Sequence, residues 1–309
     1  MELSLTVAIQ VFIMFIIIIL GFIIKKCNII TKEASRQLSD ILLIFVTPCV
    51  VIKAYQVPYR EDMAGNLLVA FAAAIVINVV GAVVSKFIFN KKDEKSIINQ
   101  YCATYSNCGF MGVPLLEAVL GSQGVFYGAA YLAIFNIFNW THGVYLYTQD
   151  KKTLSIKNII LNPGVLGVTV GLVLFFARIA LPEVILAPVS YMASMNTPVA
   201  MLLLGVFLAD VDFKTAFKNI SLYTVSFVRL IVIPILAVFI LQIPFIPDIV
   251  AVAVVIPAAC PSATAAALFA SKYEYDASYA SEIVAINTIV SIATLPVIVA
   301  INSLVSTIF

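Results

Sequence analysis

Charged residues are scarce in this sequence. Only 11% of its 309 residues are Asp, Glu, Lys or Arg, whereas soluble domains carry about 25%. This low content excludes a soluble globular enzyme of this length and a disordered protein. The net charge of +2 is too small to attract a polyanion, so no nucleic-acid partner is expected. The single histidine, His142, is not expected to form a proton relay.

Cysteine is present, but in no metal-binding pattern. The five cysteines form an odd set without ligand spacing, and four lie in apolar runs, where cysteine acts as a small hydrophobe. We therefore predict no disulfide framework, no metal site and no cofactor. The sequence also lacks His-Glu-x-x-His and Gly-x-Ser-Gly motifs and paired aspartates within an apolar run. An intramembrane enzyme is not expected.

Long apolar runs fill the chain instead. Hydrophobic residues make up 62% of it, and the mean hydropathy is +1.09. A bilayer core of about 30 Å requires roughly 20 apolar residues per helix. We predict an all-α integral membrane protein, a single domain over 1–309 with ten transmembrane helices. The ten runs cover residues 4–24, 38–55, 64–88, 97–119, 122–148, 159–180, 185–208, 219–242, 249–271 and 278–305.

The basic residues are distributed unevenly between the two sides of the predicted bundle. Fourteen of the 18 Lys and Arg residues lie in alternate loops, and three lie on the opposite side. Basic loops remain in the cytoplasm. We therefore predict a multi-pass protein of the plasma membrane with both termini outside the cytoplasm. The basic loops are 25–37, 86–96, 149–158, 209–218 and 272–277.

The two halves of the chain show a weak internal similarity. A unit of five helices is odd, so a second copy must insert upside down, as in many secondary transporters. We predict two inverted five-helix repeats, about 1–150 and 155–309, with chance similarity as the alternative. The pairs that align at a shift of about 150 residues are Thr47-Pro48 with Thr197-Pro198, Gly21 with Gly171, and Asn136 with Asn287.

Two corresponding runs contain residues that interrupt helices. The fourth run has Gly109, Gly112 and Pro114 within six residues, and the ninth has Pro257 and Pro261 four apart. Paired interruptions in matching segments are the best sequence indication of a transporter's binding site. The alternative is that the prolines form ordinary kinks, whose freed backbone groups neighbouring helices satisfy.

A broken helix exposes amides that bind anions. The half-helix beginning near Pro114 and the one after Pro261, with Ser262 and Thr264 in its first turn, would each carry a partial positive charge at the N-terminus. Two such ends that face each other near the membrane midplane predict a site for an anion such as a carboxylate.

The interrupted fourth run is also part of a recognisable motif. The segment 106–121 has Asn107 ahead of Met-Gly-Val-Pro-Leu-Leu, and it resembles the fourth-helix motif of the auxin efflux carrier family. The segment 269–276, Arg229 with Pro234, and Thr47-Pro48 are similar to the family pattern as well. The resemblance covers essentially the whole chain.

The resemblance implies a fold, a mechanism and a substrate class. The fold has ten helices in two inverted repeats, with broken helices 4 and 9 crossing at prolines as in bile-acid symporters and sodium–proton antiporters. A transport domain moves against a scaffold in an elevator-type mechanism and carries small organic anions such as malate, malonate or auxin. A homodimer through the scaffold helices is implied, too. The chain lacks the long loop between helices 5 and 6 of the plant carriers, which weakens the case for auxin.

The resemblance also assigns residues. Asn107 matches the family's carboxylate-binding asparagine, and Pro114 matches its fourth-helix crossing proline. Either Pro257 or Pro261 is the crossing residue of the ninth run. The predicted substrate-binding residues are Asn107, Cys108, Gly109, Gly112, Pro114, Pro257, Pro261, Ser262, Thr264, Asn136 and Asn287.

Two ionisable residues lie at membrane depth, where burying a charge costs about 2.5–3.5 kcal/mol. Each is therefore expected to have a structural or functional role. Glu117 follows Pro114 by three residues, so it either caps a helix dipole or couples transport to protons. Arg229 is expected to pair with a carboxylate or a helix C-terminus. Asn136 and Asn287 either line the site or form bonds between helices.

We predict a secondary active transporter of small organic anions that acts by alternating access. A sodium-coupled organic-anion symporter of the bile-acid-carrier type is the main alternative, although residues 257–264 contain no acidic side chain. A membrane sensor or transceptor and a channel are further alternatives. A cation–proton antiporter is disfavoured because the fifth run has no carboxylate.

Overall fold

The computed structural model describes residues 2–91, 93–150 and 156–306. Within these ranges the chain forms helices joined by short connections, and the only β pairing is an antiparallel bridge between Ser106 and Ser262. Seven helical stretches are long and apolar enough to cross a membrane. The predicted all-helical integral membrane protein is thereby confirmed.

The main helices of the described residues are numbered in chain order. Each predicted apolar run coincides with one helix or, for the fourth and ninth runs, with two half-helices. The helices are α1 (Glu2–Lys26), α2 (Lys32–Ala54), α3 (Glu61–Ile88), α4 (Glu94–Thr104), α5 (108–120), α6 (122–148), α7 (Pro163–Phe176), α8 (Glu183–Ala209), α9 (Ile220–Ile240), α10 (Asp248–Ala259), α11 (Ala265–Lys272) and α12 (Ala277–Val305).

A single glycine separates α5 from α6. Gly121 has φ 63° and ψ −155°, a conformation that is essentially restricted to glycine. A Cβ at this position would meet no atom within 4 Å. The backbone conformation rather than lack of space therefore requires glycine here. The turn lies between the fourth and fifth apolar runs, where the sequence predicts a boundary.

The periphery of the bundle is apolar and exposed, as expected for a surface in contact with lipid tails. Large side chains such as Phe12 on α1, Phe45 on α2 and Leu68 on α3 are 60–68% exposed. The interior, in contrast, is formed around α4, α5, α10 and α11. Every residue of α10 after its first two is buried. The half-helix α10 is therefore enclosed by the other helices.

Two helix pairs pack closely at glycine. On α1 and α8, Gly21 and Gly205 face each other, and a Cβ at either position would overlap the main chain of the opposite helix. On α7, a Cβ at Gly171 would overlap the ring of Tyr55, the residue that follows α2. Small residues permit this close approach between membrane helices. The two contacts correspond under a shift of 150 residues. Residue 21 moved forward by 150 is residue 171, and residue 205 moved back by 150 is residue 55.

Candidate substrate site at the helix crossing

The chain leaves the helical conformation in the middle of both broken helices. Between α4 and α5, and between α10 and α11, the two extended segments run antiparallel and bond to each other. The N–H of Asn107 donates to the carbonyl of Pro261 at 2.7 Å, and that of Ala263 donates to Tyr105 at 2.9 Å. Backbone groups freed by the breaks therefore satisfy each other, as an interior without water requires.

The first break lies further towards the N-terminus than predicted. α5 begins at Cys108 rather than near Pro114, and Gly109, Gly112 and Pro114 all lie inside helical structure. The turn Cys108–Gly112 is π-helical, with the Gly112 N–H donating to the Asn107 carbonyl at 3.1 Å. This wide turn precedes the proline, whose ring would clash with a regular helix. The predicted break at the glycines and Pro114 is therefore wrong.

Gly112 lies where α5 contacts the end of α10. A Cβ there would lie 3.5 Å from the Cα of Pro257 and 3.5 Å from the Sγ of Cys260. These are ordinary van der Waals distances, so a methyl group would fit at this position, and a Cβ at Gly109 would meet only a methyl group of Leu132. The glycines of the fourth run therefore neither cause the break nor are required by the packing around them.

Asn107 caps the second half of the broken helix. Its Oδ1 accepts a hydrogen bond from the Phe110 N–H at 3.4 Å, and the side chain is 4% exposed. Its Nδ2 has no hydrogen-bond partner. The bond to Phe110 fixes the amide orientation, so a buried donor remains free at the N-terminus of α5. An unpaired buried donor is costly unless a ligand uses it.

The structure distinguishes the two prolines of the ninth run. Pro261 lies at the crossing and accepts from Asn107, whereas Pro257 lies inside α10. Ser262 belongs to the extended segment and Thr264 immediately precedes α11, so neither lies within the first turn as predicted. The difference arises because α11 begins at Ala265, after the antiparallel pairing ends.

Asn287 on α12 reaches the crossing through Ser262. The Ser262 hydroxyl donates to the Cys102 carbonyl at 2.6 Å, so it must accept from the Nδ2 of Asn287. Asn287 is fully buried, and its Oδ1 has no partner. The crossing therefore has a free amide donor on α5 and a free amide acceptor on α12.

Asn136, the predicted counterpart of Asn287, is differently placed. Its Nδ2 donates to the Leu132 carbonyl of its own helix at 2.8 Å. The side chain also packs against Gly164 at the start of α7, and it is only half-buried. These contacts lie on the α7 side of α6. The structure therefore does not bring Asn136 to the crossing with Asn287.

Glu117 forms an ion pair that the sequence analysis did not identify. It is the tenth residue of α5, well beyond the first turn, so it does not cap the helix dipole as one alternative predicted. Its Oε1 lies 3.5 Å from the Nζ of Lys53 on α2, and the two side chains are 30% and 35% exposed. The pair joins α5 to α2 at the side of the bundle that lacks the basic loops.

Arg229 lies at the centre of the crossing and is fully buried. Its guanidinium donates to the carbonyls of Ala103 and Thr104 at the end of α4, at 3.2 and 3.0 Å. It also donates to the carbonyls of Ala258 and Cys260 at the end of α10, the latter at 3.1 Å. Arg229 pairs with helix C-termini, one of the two expected alternatives, and it contacts two of them.

The crossing is closed in this conformation, since Ser106 is 1% exposed and Ser262 is fully buried. Two cavities lie elsewhere. One of about 600 Å³ is lined by the ends of α2 and α7, with Arg60 and Arg178. The other, of about 230 Å³, adjoins Lys86. Neither is lined by a residue of the crossing.

Two broken helices that cross, with unwound backbone and half-helix ends in the interior of an all-helical membrane protein, are features of membrane transporters. Comparison with known families gives the same class. The family model described as "Membrane transport protein" matches residues 6–159 and 150–299. The chain therefore belongs to this family, that of the auxin efflux carriers, as its fourth-helix motif predicted.

Two archaeal relatives match nearly the whole chain. An uncharacterized transporter of Methanothermobacter thermautotrophicus is 21% identical over 289 residues, which cover 91% of this chain and 93% of the relative. An uncharacterized transporter of Methanocaldococcus jannaschii is 22% identical over 293 residues, which cover 91% and 94%. The family and these relatives are membrane transporters rather than enzymes.

Proposed function

We propose that this protein is a secondary active transporter of small organic anions and that the helix crossing binds the carboxylate of the substrate. The observation that carries the proposal is the free buried donor of Asn107 at the N-terminus of α5. Backbone amides at helix N-termini and neutral amide donors are the groups with which proteins bind anions. The free acceptor of Asn287 suits a hydroxyl or other donor of the same substrate.

The charge at the crossing also favours an anion. The N-termini of α5 and α11 carry about +0.5 each and the C-termini of α4 and α10 about −0.5 each, so the four ends nearly cancel. Arg229 adds a full positive charge, and among the described residues no carboxylate forms an ion pair with it. A net charge of about +1 remains, and a single carboxylate neutralises it.

The contacts between helices support two inverted five-helix repeats with ten membrane spans. In this arrangement α4 with α5 and α10 with α11 each count as one span. The α1–α8 contact at Gly21 and Gly205 and the α2–α7 contact at Gly171 and Tyr55 exchange under the same 150-residue shift. The antiparallel pairing at the crossing fits a two-fold axis there as well.

We further propose that α1, α2, α7 and α8 form the scaffold and that the remaining helices form an elevator-type transport domain. The ion pair between Lys53 and Glu117 then links scaffold to transport domain and must break when the domain moves. The family resemblance suggests a homodimer through scaffold helices, for which light scattering in detergent is the test. The distribution of basic loops supports a plasma-membrane location with both termini outside.

Transport by purified protein in liposomes tests the proposal. Malate, malonate, citrate and indole-3-acetate are presented in turn, and the transport current is recorded on a supported membrane. We expect a saturable current with at least one carboxylate and none in protein-free liposomes. No current with any of them, in protein that remains folded, would favour a sensor or a different substrate class.

A further inference from the structure

The environment of Arg229 has a consequence for ion coupling. The side chain comes from the middle of α9, is fully buried, and ends among four backbone carbonyls. Two of these carbonyls belong to the end of α4 and two to the end of α10. Its guanidinium is therefore hydrogen-bonded by two half-helix C-termini instead of by an acidic side chain.

Carbonyl oxygens at the ends of broken helices are the ligands with which secondary transporters bind a coupling cation such as sodium. At this crossing the same kind of oxygen already accepts hydrogen bonds from a guanidinium. Arginine remains protonated at any physiological pH, so this cation is permanent. A sodium ion placed among these four oxygens would have to displace a covalently attached positive charge.

We propose that Arg229 is a built-in substitute for a coupling cation, so that the protein carries its organic anion without sodium. The transport part of this inference rests on the function proposed above, whereas the cation-site part does not. Arg229 is a positioning residue in this account. It holds the C-termini of α4 and α10 together and supplies the fixed positive charge that the anion neutralises.

A purely mechanical clamp would also make Arg229 necessary, so the test needs a different readout. In Arg229→Ala the four carbonyls face a space from which a cation has been removed. If the position is a cation site, free guanidinium or sodium should bind there and restore stability. A clamp that acts only through the covalent linkage of α9 to the crossing would gain nothing from either ion.

The first measurement is the melting temperature of purified protein in detergent. We expect Arg229→Ala to melt below the wild type and low millimolar guanidinium or sodium to raise its Tm by about 2–4 °C or more. The wild type should not respond. Arg178→Ala is the matched control because Arg178 lies outside the crossing, over the ring of Tyr59. A variant that responds to neither ion would overturn the cation-site inference.

The second measurement is transport in liposomes with sodium replaced by N-methylglucamine. We expect wild-type current to change by less than about twofold, and a strict sodium requirement would overturn the inference. If Arg229→Ala does not fold, Arg229→Lys takes its place, since it keeps a fixed charge and should stay independent of sodium. A sodium requirement in Arg229→Lys would equally refute the idea. Absence of any wild-type current would instead refute the proposed function, while the Tm result still stands.

Discussion

Replacing Asn107 separates its two contributions, the helix cap and the free donor. Asn107→Ala removes both. Asn107→Asp keeps an oxygen that accepts from the Phe110 N–H but replaces the Nδ2 donor by a negative charge. Loss of the cap costs about 0.5–2 kcal/mol of stability. Loss of a hydrogen bond to a charged group costs about 1.5–3 kcal/mol, or roughly 10–150-fold in affinity.

The expected results therefore differ between the two variants. Asn107→Ala should melt slightly earlier than the wild type and bind the transported anion about 10–150-fold more weakly. Asn107→Asp should keep the helix cap but lose anion binding, because its charge repels a carboxylate. Substrate-dependent thermal shifts and counterflow of labelled anion in liposomes measure the two effects.

A matched control comes from α3. Asn78 is also a buried amide, but it donates to the Ala74 carbonyl of its own helix at 2.9 Å. Asn78→Ala should leave anion affinity within about twofold of the wild type, because it removes only a hydrogen bond within α3, away from the crossing. Side-chain hydrogen bonds in membrane proteins contribute about 0.6 kcal/mol on average. Equal anion affinity in wild type and Asn107→Asp would refute the reasoning.

Further predictions concern residues around the crossing. Asn136→Ala should keep transport within about twofold, since its amide bonds within α6; labelled-anion uptake measures this. Pro114→Ala should also retain uptake, because the break lies before α5. Lys53→Ala and Glu117→Gln should alter uptake rate alike, with a non-additive double variant and a coupling of about 0.2–1 kcal/mol. Gly205→Leu should lower the Tm markedly, because its side chain would overlap the backbone of α1.

The apolar runs predicted the helices well because they reflect a local property, the partition of side chains into lipid. The position of the first break was predicted wrongly. Gly109, Gly112 and Pro114 suggested a break, yet they fit a helix whose first turn is π-helical. The actual break contains neither glycine nor proline. It depends on Asn107 bonding to Pro261, more than 150 residues away, which no local pattern indicates.

The candidate site was predicted only in part, because local patterns indicate some of its residues, whereas others depend on contacts between distant segments. Asn107 carried a local motif, so its position beside the break was foreseeable. Asn136 and Asn287 aligned in sequence, but the structure brings only Asn287 to the crossing, through Ser262. From the sequence, Arg229 was predicted to pair with either a carboxylate or a helix C-terminus. The sequence could not indicate that Arg229 contacts the ends of α4 and α10, because these ends come from distant parts of the chain.

The most direct test of an anion site at the crossing uses the chain's own cysteines. Cys108 lies at the start of α5 and is 1% exposed, whereas Cys27 is exposed at the end of α1. A small thiol reagent reaches Cys108 only when the crossing opens. We predict that saturating transported anion slows Cys108 modification, measured by mass spectrometry, several-fold and leaves Cys27 unchanged. Unchanged modification of Cys108 under active transport would contradict the account.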